Sequence, residues 1–209
     1  IRDRADAYNH GVDVVAPAML DAGVEQLGVA TLGEALHLRE ILTELGESYA
    51  SAPITAWMWT PEEDLADVFA ADINVGVPSL AHARSLVEQA EKARREAQVS
   101  TPVRVTLMVD TGLSRSGVSP AEWQRTVELL ASMMELVEVT GVMTHMASAD
   151  DPKSEANNLQ AARFAEAIEF CRSRGLRVPR NHIANTPATL HRPDPVSYTH
   201  LRAHETDSY

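Results

Sequence analysis

Three apolar runs in this chain stop abruptly in polar residues, and no other feature constrains its fold as much. Val103–Val109 runs into Asp110-Thr-Gly-Leu-Ser-Arg-Ser-Gly117, and Val137–Met143 runs into Thr144-His-Met-Ala-Ser-Ala-Asp150. A third segment, Asn181-His-Ile-Ala-Asn-Thr-Pro-Ala188, repeats the pattern. A strand buried on both faces of a parallel sheet reads as a continuous apolar run. When such a run ends in polar groups, it delivers them to the rim of the sheet. Arg115, His145 and Asn185–Thr186 are therefore expected to share one site.

The same type of run recurs along the chain. Strands are expected at Gln26–Thr31, Ile54–Met58, Ile73–Val77, Val103–Val109, Val137–His145 and Asn181–Asn185. Helix signals lie between them. Thr31-Leu-Gly-Glu34 reads as a capping box opening a helix to about Leu45, with Gly46 beyond. Thr60-Pro-Glu-Glu63 and Ser119-Pro-Ala-Glu122 share one device: a hydroxyl cap, a proline at the first helical position and a glutamate reaching back. Further helices are expected over Asp13–Ala22, over Leu80–Ala97, and from near Pro152 to about Arg174. Pro17 is tolerable only near the first turn of its helix. Strict alternation implies parallel strands with right-handed crossovers. A closed barrel and an open doubly wound sheet both fit. No glycine-rich phosphate fingerprint follows the first strand, which weighs against a dinucleotide fold. A complete (β/α)8 barrel takes roughly 250 residues, and this chain has 209. The expected fold is an α/β, (β/α)8 TIM-type barrel, incomplete at both ends.

Composition narrows the function. A formal charge of -12 argues against a nucleic-acid partner. No apolar run reaches the ~20 residues of a membrane span, and the opening residues do not read as a signal peptide. Cys171 has no second cysteine to pair with and fits a reducing compartment, so a cytoplasmic location is expected. Residues 195–209 carry no helical or strand period, and they and residues 1–4 resemble translated adapter sequence. They are read as non-native ends around a partial barrel domain over 5–194, the alternative being a real tail.

Each candidate residue has a plain alternative. Tyr8, in Ala5-Asp-Ala-Tyr-Asn-His-Gly11, sits in a loop that can face a phosphate or simply solvent. Arg115 lies in a glycine-bounded loop that can bring a planar guanidinium to an oxyanion, or merely form a surface ion pair. His145 is either a satisfied core histidine or a ring stacked on a planar cofactor. Asn185 and Thr186 can hold a phosphate at a helix start or act as an ordinary N-cap. A metal site from His10, Asp110, His145 and His182 is disfavoured, because no His-x-His pair marks an early strand.

Taken in order, four segments resemble alanine racemase: Ala5–Gly11, Val109–Gly117, Met143–Asp150 and His182–Thr186. The resemblance extends over about Ala5 to Asp194. It implies a pyridoxal 5'-phosphate enzyme that interconverts L- and D-alanine for peptidoglycan, acting as a homodimer. By position, Tyr8 and Thr186 would bind the cofactor phosphate. Arg115 would hydrogen-bond the ring's phenolic oxygen, His145 would lie against the ring face, and Asn185 would sit close to it. Arg115 and His145 are the catalytic candidates. No metal is implied.

Three departures accompany the match. Arg4 occupies the place of the cofactor-bearing lysine, and a permanently protonated guanidinium is a poor nucleophile. Met108 stands where many members carry a modified lysine that supports the arginine. The segment that would supply the tyrosine base lies past the match. Very low racemase activity is therefore expected of this polypeptide by itself. The rival readings are a non-catalytic pyridoxal-phosphate carrier on the same barrel, and a decarboxylase or aldolase of that fold.

Overall fold

A computed structural model describes residues 2, 3, 7 and 10–191. The elements run β1 (Arg2–Asp3), α1 (Val12–Asp21), β2 (Leu27–Thr31), α2 (Leu32–Glu44), α3 (Glu47–Ala50), β3 (Ile54–Met58), α4 (Ala66–Ala70), β4 (Asn74–Val77), α5 (Leu80–Arg95), β5 (Val103–Met108), α6 (Pro120–Ala131), β6 (Val137–Met143), α7 (Glu155–Ser173) and α8 (Thr186–His191). They fall into two units, Ile1–Gly76 with Ser85–Arg104, and Val77–Arg84 with Val105–Tyr209.

In the first unit the strands pair in parallel in chain order, with Arg2 opposite Gly28, Gly28 opposite Thr55, and Thr55 opposite Asn74. The side chains of β2, β3 and β4 are buried along nearly their whole length, and the exposed ones stand at the C-terminal ends of β2 and β3, at Thr31 and Met58. That is the burial expected of strands covered on both faces. A row of polar groups runs from Gln26, just before β2, across β3 to β4. The buried Thr55 hydroxyl accepts from Gln26 Nε2 at 2.5 Å and from Asn74 Nδ2 at 2.8 Å. The capping box at Thr31 forms as expected: Glu34 N donates to Thr31 Oγ1 at 3.3 Å, and Thr31 N donates to Glu34 Oε2 at 2.9 Å. Burial of Leu38 and Leu42 then fixes the helix face that meets the sheet.

The device at Thr60 behaves differently. Glu63 does reach back to Thr60 N, yet the helix starts only at Ala66. Gln89 of α5 explains the delay, because its amide accepts from Leu65 N at 2.9 Å and donates to Glu63 O at 3.1 Å. Those bonds hold the backbone open where a first helical turn would otherwise close. β1 falls within residues 1–4, outside the strands expected from the sequence. Two backbone pairings against β2 define it. Pro17 lies inside α1, in its second turn rather than its first.

In the second unit β5 and β6 are neighbours. Thr140 Oγ1 donates to Val105 O at 3.0 Å, and Val109 N donates to Met143 O at 2.8 Å. Ser119 precedes Pro120 at the first position of α6, as the sequence predicts, but its hydroxyl makes no cap bond; Ser119 O takes Glu122 N instead. The expected strand Asn181–Asn185 does not form. Among the described residues its ladder contact is a single isolated bridge of His182 with Met143. Next to that bridge the Asn181 side chain stands in for the backbone, its Oδ1 accepting from Val142 N at 3.0 Å. Gly141 faces this segment so closely that a Cβ there would lie 1.5 Å from Arg180 O.

α7 packs through Phe164, Ala167, Ile168 and Cys171. Burial pushes the Cys171 thiol up from its ordinary 9.0 to about 12. The folded state then keeps a proton that the unfolded chain releases. This contribution to stability is complete below about pH 9 and is lost as pH rises toward 12. A thiol reagent at neutral pH should leave native Cys171 unlabelled and modify it fully in urea. Rapid stoichiometric labelling of the native protein would contradict its burial.

Candidate active site

The loop after β5 is shaped by its own residues. Asp110 Oδ1 accepts from Gly112 N at 2.9 Å and from Ser114 N at 3.0 Å, a side-chain turn that bends the backbone as soon as the strand ends. Gly112, Ser114 and Gly117 all have positive φ, at 142°, 55° and 113°. The loop closes where Val118 N donates to Met108 O at 2.7 Å and Asp110 N donates to Val118 O at 3.0 Å. Gly117 is obligatory at this closure, since a Cβ would stand 2.6 Å from Asp110 N. Arg115 is exposed within the loop. Met108 is buried beneath it and supports the closure through its backbone carbonyl.

The segment after β6 carries Thr144, His145 and Met146, of which Thr144 and Met146 are buried and His145 is half-buried. Thr111 and Thr144 share a hydroxyl–hydroxyl bond of 2.8 Å, joining the two strand ends directly. α7 reinforces the link. Gln160 donates to Thr111 Oγ1 at 3.0 Å and to His145 O at 3.2 Å, and accepts from Ala147 N at 2.9 Å. Arg163 NH1 donates to Thr111 O at 3.0 Å. Asn157 Nδ2 donates to Ser148 O at 3.1 Å and to Asp151 O at 2.9 Å.

Sequence reasoning missed these three residues of α7. The signal was present, since Asn157 and Gln160 share the stripe of Phe164, Ala167, Ile168 and Cys171 at helical spacing. Polar residues on a buried stripe must find partners, and here the partners are the two loops.

Asn185 caps α8. Its Oδ1 accepts from Ala188 N at 3.2 Å, and its Nδ2 donates to Met146 O at 3.2 Å, tying the helix start to the segment after β6. The ordinary N-cap is thus realised, and it also places Asn185 beside the His145 segment. Arg115, His145 and Asn185 therefore stand on three segments linked through Thr111, Gln160 and Met146. Thr186 opens α8 by its backbone. Tyr8 and Arg4 lie outside the described residues. Of the residues considered for a metal, Asp110 spends one carboxylate oxygen on its turn, and His10 and His182 are exposed. Among the described residues no group of three or more His, Cys, Asp or Glu side chains could hold a metal ion. Nor is any described helix long and apolar enough to cross a membrane.

The family described as alanine racemase, N-terminal domain, matches residues 4–203 of this chain. The chain belongs to this family. Its fold class is accordingly the parallel-strand α/β barrel type of the alanine racemase N-terminal domain, and the described strands form an incomplete sheet of it. The alanine racemase of Corynebacterium efficiens is 42% identical over 191 residues, covering 91% of this chain and 48% of that protein. The solved alanine racemase of Streptomyces coelicolor superposes with a TM-score of 0.82 at 38% identity, covering 92% of this chain and 49% of that one. A more distant structure, from Bartonella henselae with covalently bound pyridoxal phosphate, has a TM-score of 0.73 at 24% identity, covering 90% of this chain and 49% of that one. At that distance the likeness is one of fold. The chain spans about half the length of the curated relatives it matches.

Proposed function

We propose that this chain is the cofactor-binding half of a pyridoxal-5'-phosphate-dependent alanine racemase. The observation that carries the reading is the joining of the β5 and β6 ends, which sets an exposed guanidinium loop beside a half-buried histidine within a member of the alanine racemase family. The donor set suits a flat, anionic heterocycle. Arg115 offers a planar fork with no ion pair among the described residues. The His145 ring offers an apolar face. Asn185 has already committed one amide hydrogen and one oxygen lone pair, which leaves it one further N–H to donate.

In this reading Tyr8 and Thr186 hold the phosphate, Arg115 the ring hydroxyl oxygen, and His145 packs on the ring face with Asn185 at its edge. When bound, the cofactor supplies an electron sink for the carbon that loses its proton. The protein's own residues bind, orient and exclude water. The substrate is alanine, the product serves peptidoglycan synthesis, the assembly is a homodimer and the location is cytoplasmic. A relative of the same fold holds pyridoxal phosphate covalently. Here Arg4 stands at the position expected to provide the anchoring lysine. Residues 5–194 are taken as the native part of the barrel domain.

Titration with pyridoxal phosphate, followed by absorbance, tests the proposal. Arg115→Ala should weaken binding by roughly ten- to a hundredfold, the loss of one charged hydrogen bond. Arg115→Lys should not restore it, since a point charge lacks the planar fork. After borohydride treatment, Arg4→Lys should carry a covalent pyridoxyl mass that the unaltered chain lacks. Equal affinity in all three Arg115 forms would refute the assignment.

A further inference from the structure

Gln160 is the most connected buried polar side chain of α7, and its bonds have an unusual distribution. It is 2% exposed. Its three bonds go to Thr111 Oγ1, His145 O and Ala147 N, and none returns to its own helix. Leucine or methionine would fill that slot on an apolar stripe with no polar atom to satisfy. The bonds instead span two separate segments. Thr111 lies in the loop that carries Arg115, and Ala147 lies just past His145. One turn further along α7, Arg163 takes the carbonyl of Thr111. Gly112 seats the loop against both side chains, its missing Cβ falling 3.4 Å from Arg163 NH1 and 3.6 Å from Gln160 Cγ.

We propose that Gln160 is a positioning residue: its amide, with Arg163 beside it, holds the Arg115 loop and the His145 segment in one fixed relation so that the two can engage a single planar ligand. The proposal rests on the cofactor reading above. Gln160 acts through the backbone and hydroxyl groups it holds and does not itself touch the ligand. A carboxamide suits this task, since it donates twice and accepts once here without adding a charge to a buried site.

The test uses the full-length protein carrying this chain, three single variants and one double variant. Gln160→Met keeps the volume of the side chain and removes all three bonds. Thr111→Val keeps the shape of Thr111 and removes its hydroxyl, while Thr111→Ser restores the hydroxyl. Hydrogen exchange is read over 109–118 and 143–150, and pyridoxal phosphate affinity is measured where urea titration shows each variant to be fully folded. Gln160→Met should speed exchange in both segments, most directly at Ala147 N, and raise the dissociation constant roughly tenfold, about one lost buried hydrogen bond. It should also shift the absorption maximum of the bound cofactor, which a purely structural loss would leave in place. Thr111→Val should weaken binding to a similar degree, Thr111→Ser should recover it, and the double variant Gln160→Met/Thr111→Val should cost less than the two losses combined. Faster exchange with unchanged affinity and spectrum would overturn the positioning role while leaving the cofactor reading intact. Unchanged exchange would overturn the clamp itself. Failure of the unaltered protein to bind pyridoxal phosphate would overturn the cofactor reading, and the positioning role with it.

Discussion

Replacing Gly141 with alanine should destabilise the protein by about 3 kcal/mol or more, the upper range for overpacking a core. The added carbon would sit 1.5 Å from Arg180 O and 2.6 Å from Arg180 C. Both are backbone atoms, so no rotamer change relieves the overlap. Either β6 or the segment after α7 must move. Movement there breaks Arg180 N to Thr140 O at 3.1 Å, and then His182 N to Val142 O at 2.9 Å. Urea unfolding followed by circular dichroism measures the effect. Arg180→Ala should not rescue Gly141→Ala, because the obstructing atoms belong to the main chain. A midpoint equal to that of the unaltered protein would show that the two backbones are not in contact.

The second large effect is expected at Gly117. Here two penalties combine. The backbone has φ 113°, where an L side chain is strained by roughly 1–2 kcal/mol. A Cβ would also meet Asp110 N at 2.6 Å and Val109 C at 2.7 Å. Gly117→Ala should therefore cost about 3 kcal/mol in all. Gly175→Ala provides the comparison, since φ is 87° there and the nearest atom is Met134 Cε at 3.9 Å. That variant should lose only the strain contribution. Relief at Gly117 requires opening the closure between Val109 and Val118, so Arg115 would lose its fixed mount. Pyridoxal phosphate binding should weaken in Gly117→Ala and stay unchanged in Gly175→Ala. Equal unfolding midpoints for the two variants would contradict the tight closure.

Much of this architecture was legible in the residues, for reasons that differ by element. Ile54–Met58 is a run broken only by Thr55, with a proline before it, and it folds over those same residues. Thr31 and Glu34 form their capping box because both partners are local. Ser119 shows the limit of that logic: proline and glutamate stand in place, but the backbone carbonyl takes the bond intended for the hydroxyl. At Thr60 the local signal is overridden by Gln89, distant in sequence, whose amide bonds Leu65 N and Glu63 O. Asn181–Asn185 reads as a strand by composition, yet only His182 bridges to β6 among the described residues, while the Asn181 side chain bonds the backbone beside it.

The site divides in the same way. Arg115 and His145 stand out as candidates because strand ends are visible as a change of composition. Gln160 was missed because a periodicity reading treats one polar residue on an apolar stripe as noise. Only the position of the two loops turns it into a contact.

The Gln26–Thr55–Asn74 row has a consequence for how the chain assembles. Parallel strands of uniform apolar character can slide by two residues and still bury the same kind of surface. Such a slide would leave the Thr55 hydroxyl and the Asn74 amide in the core without each other, at about 1–3 kcal/mol per orphaned group. The three side chains thus act as an indexing pin. They discriminate among alignments that greasy contacts alone would rank as equals.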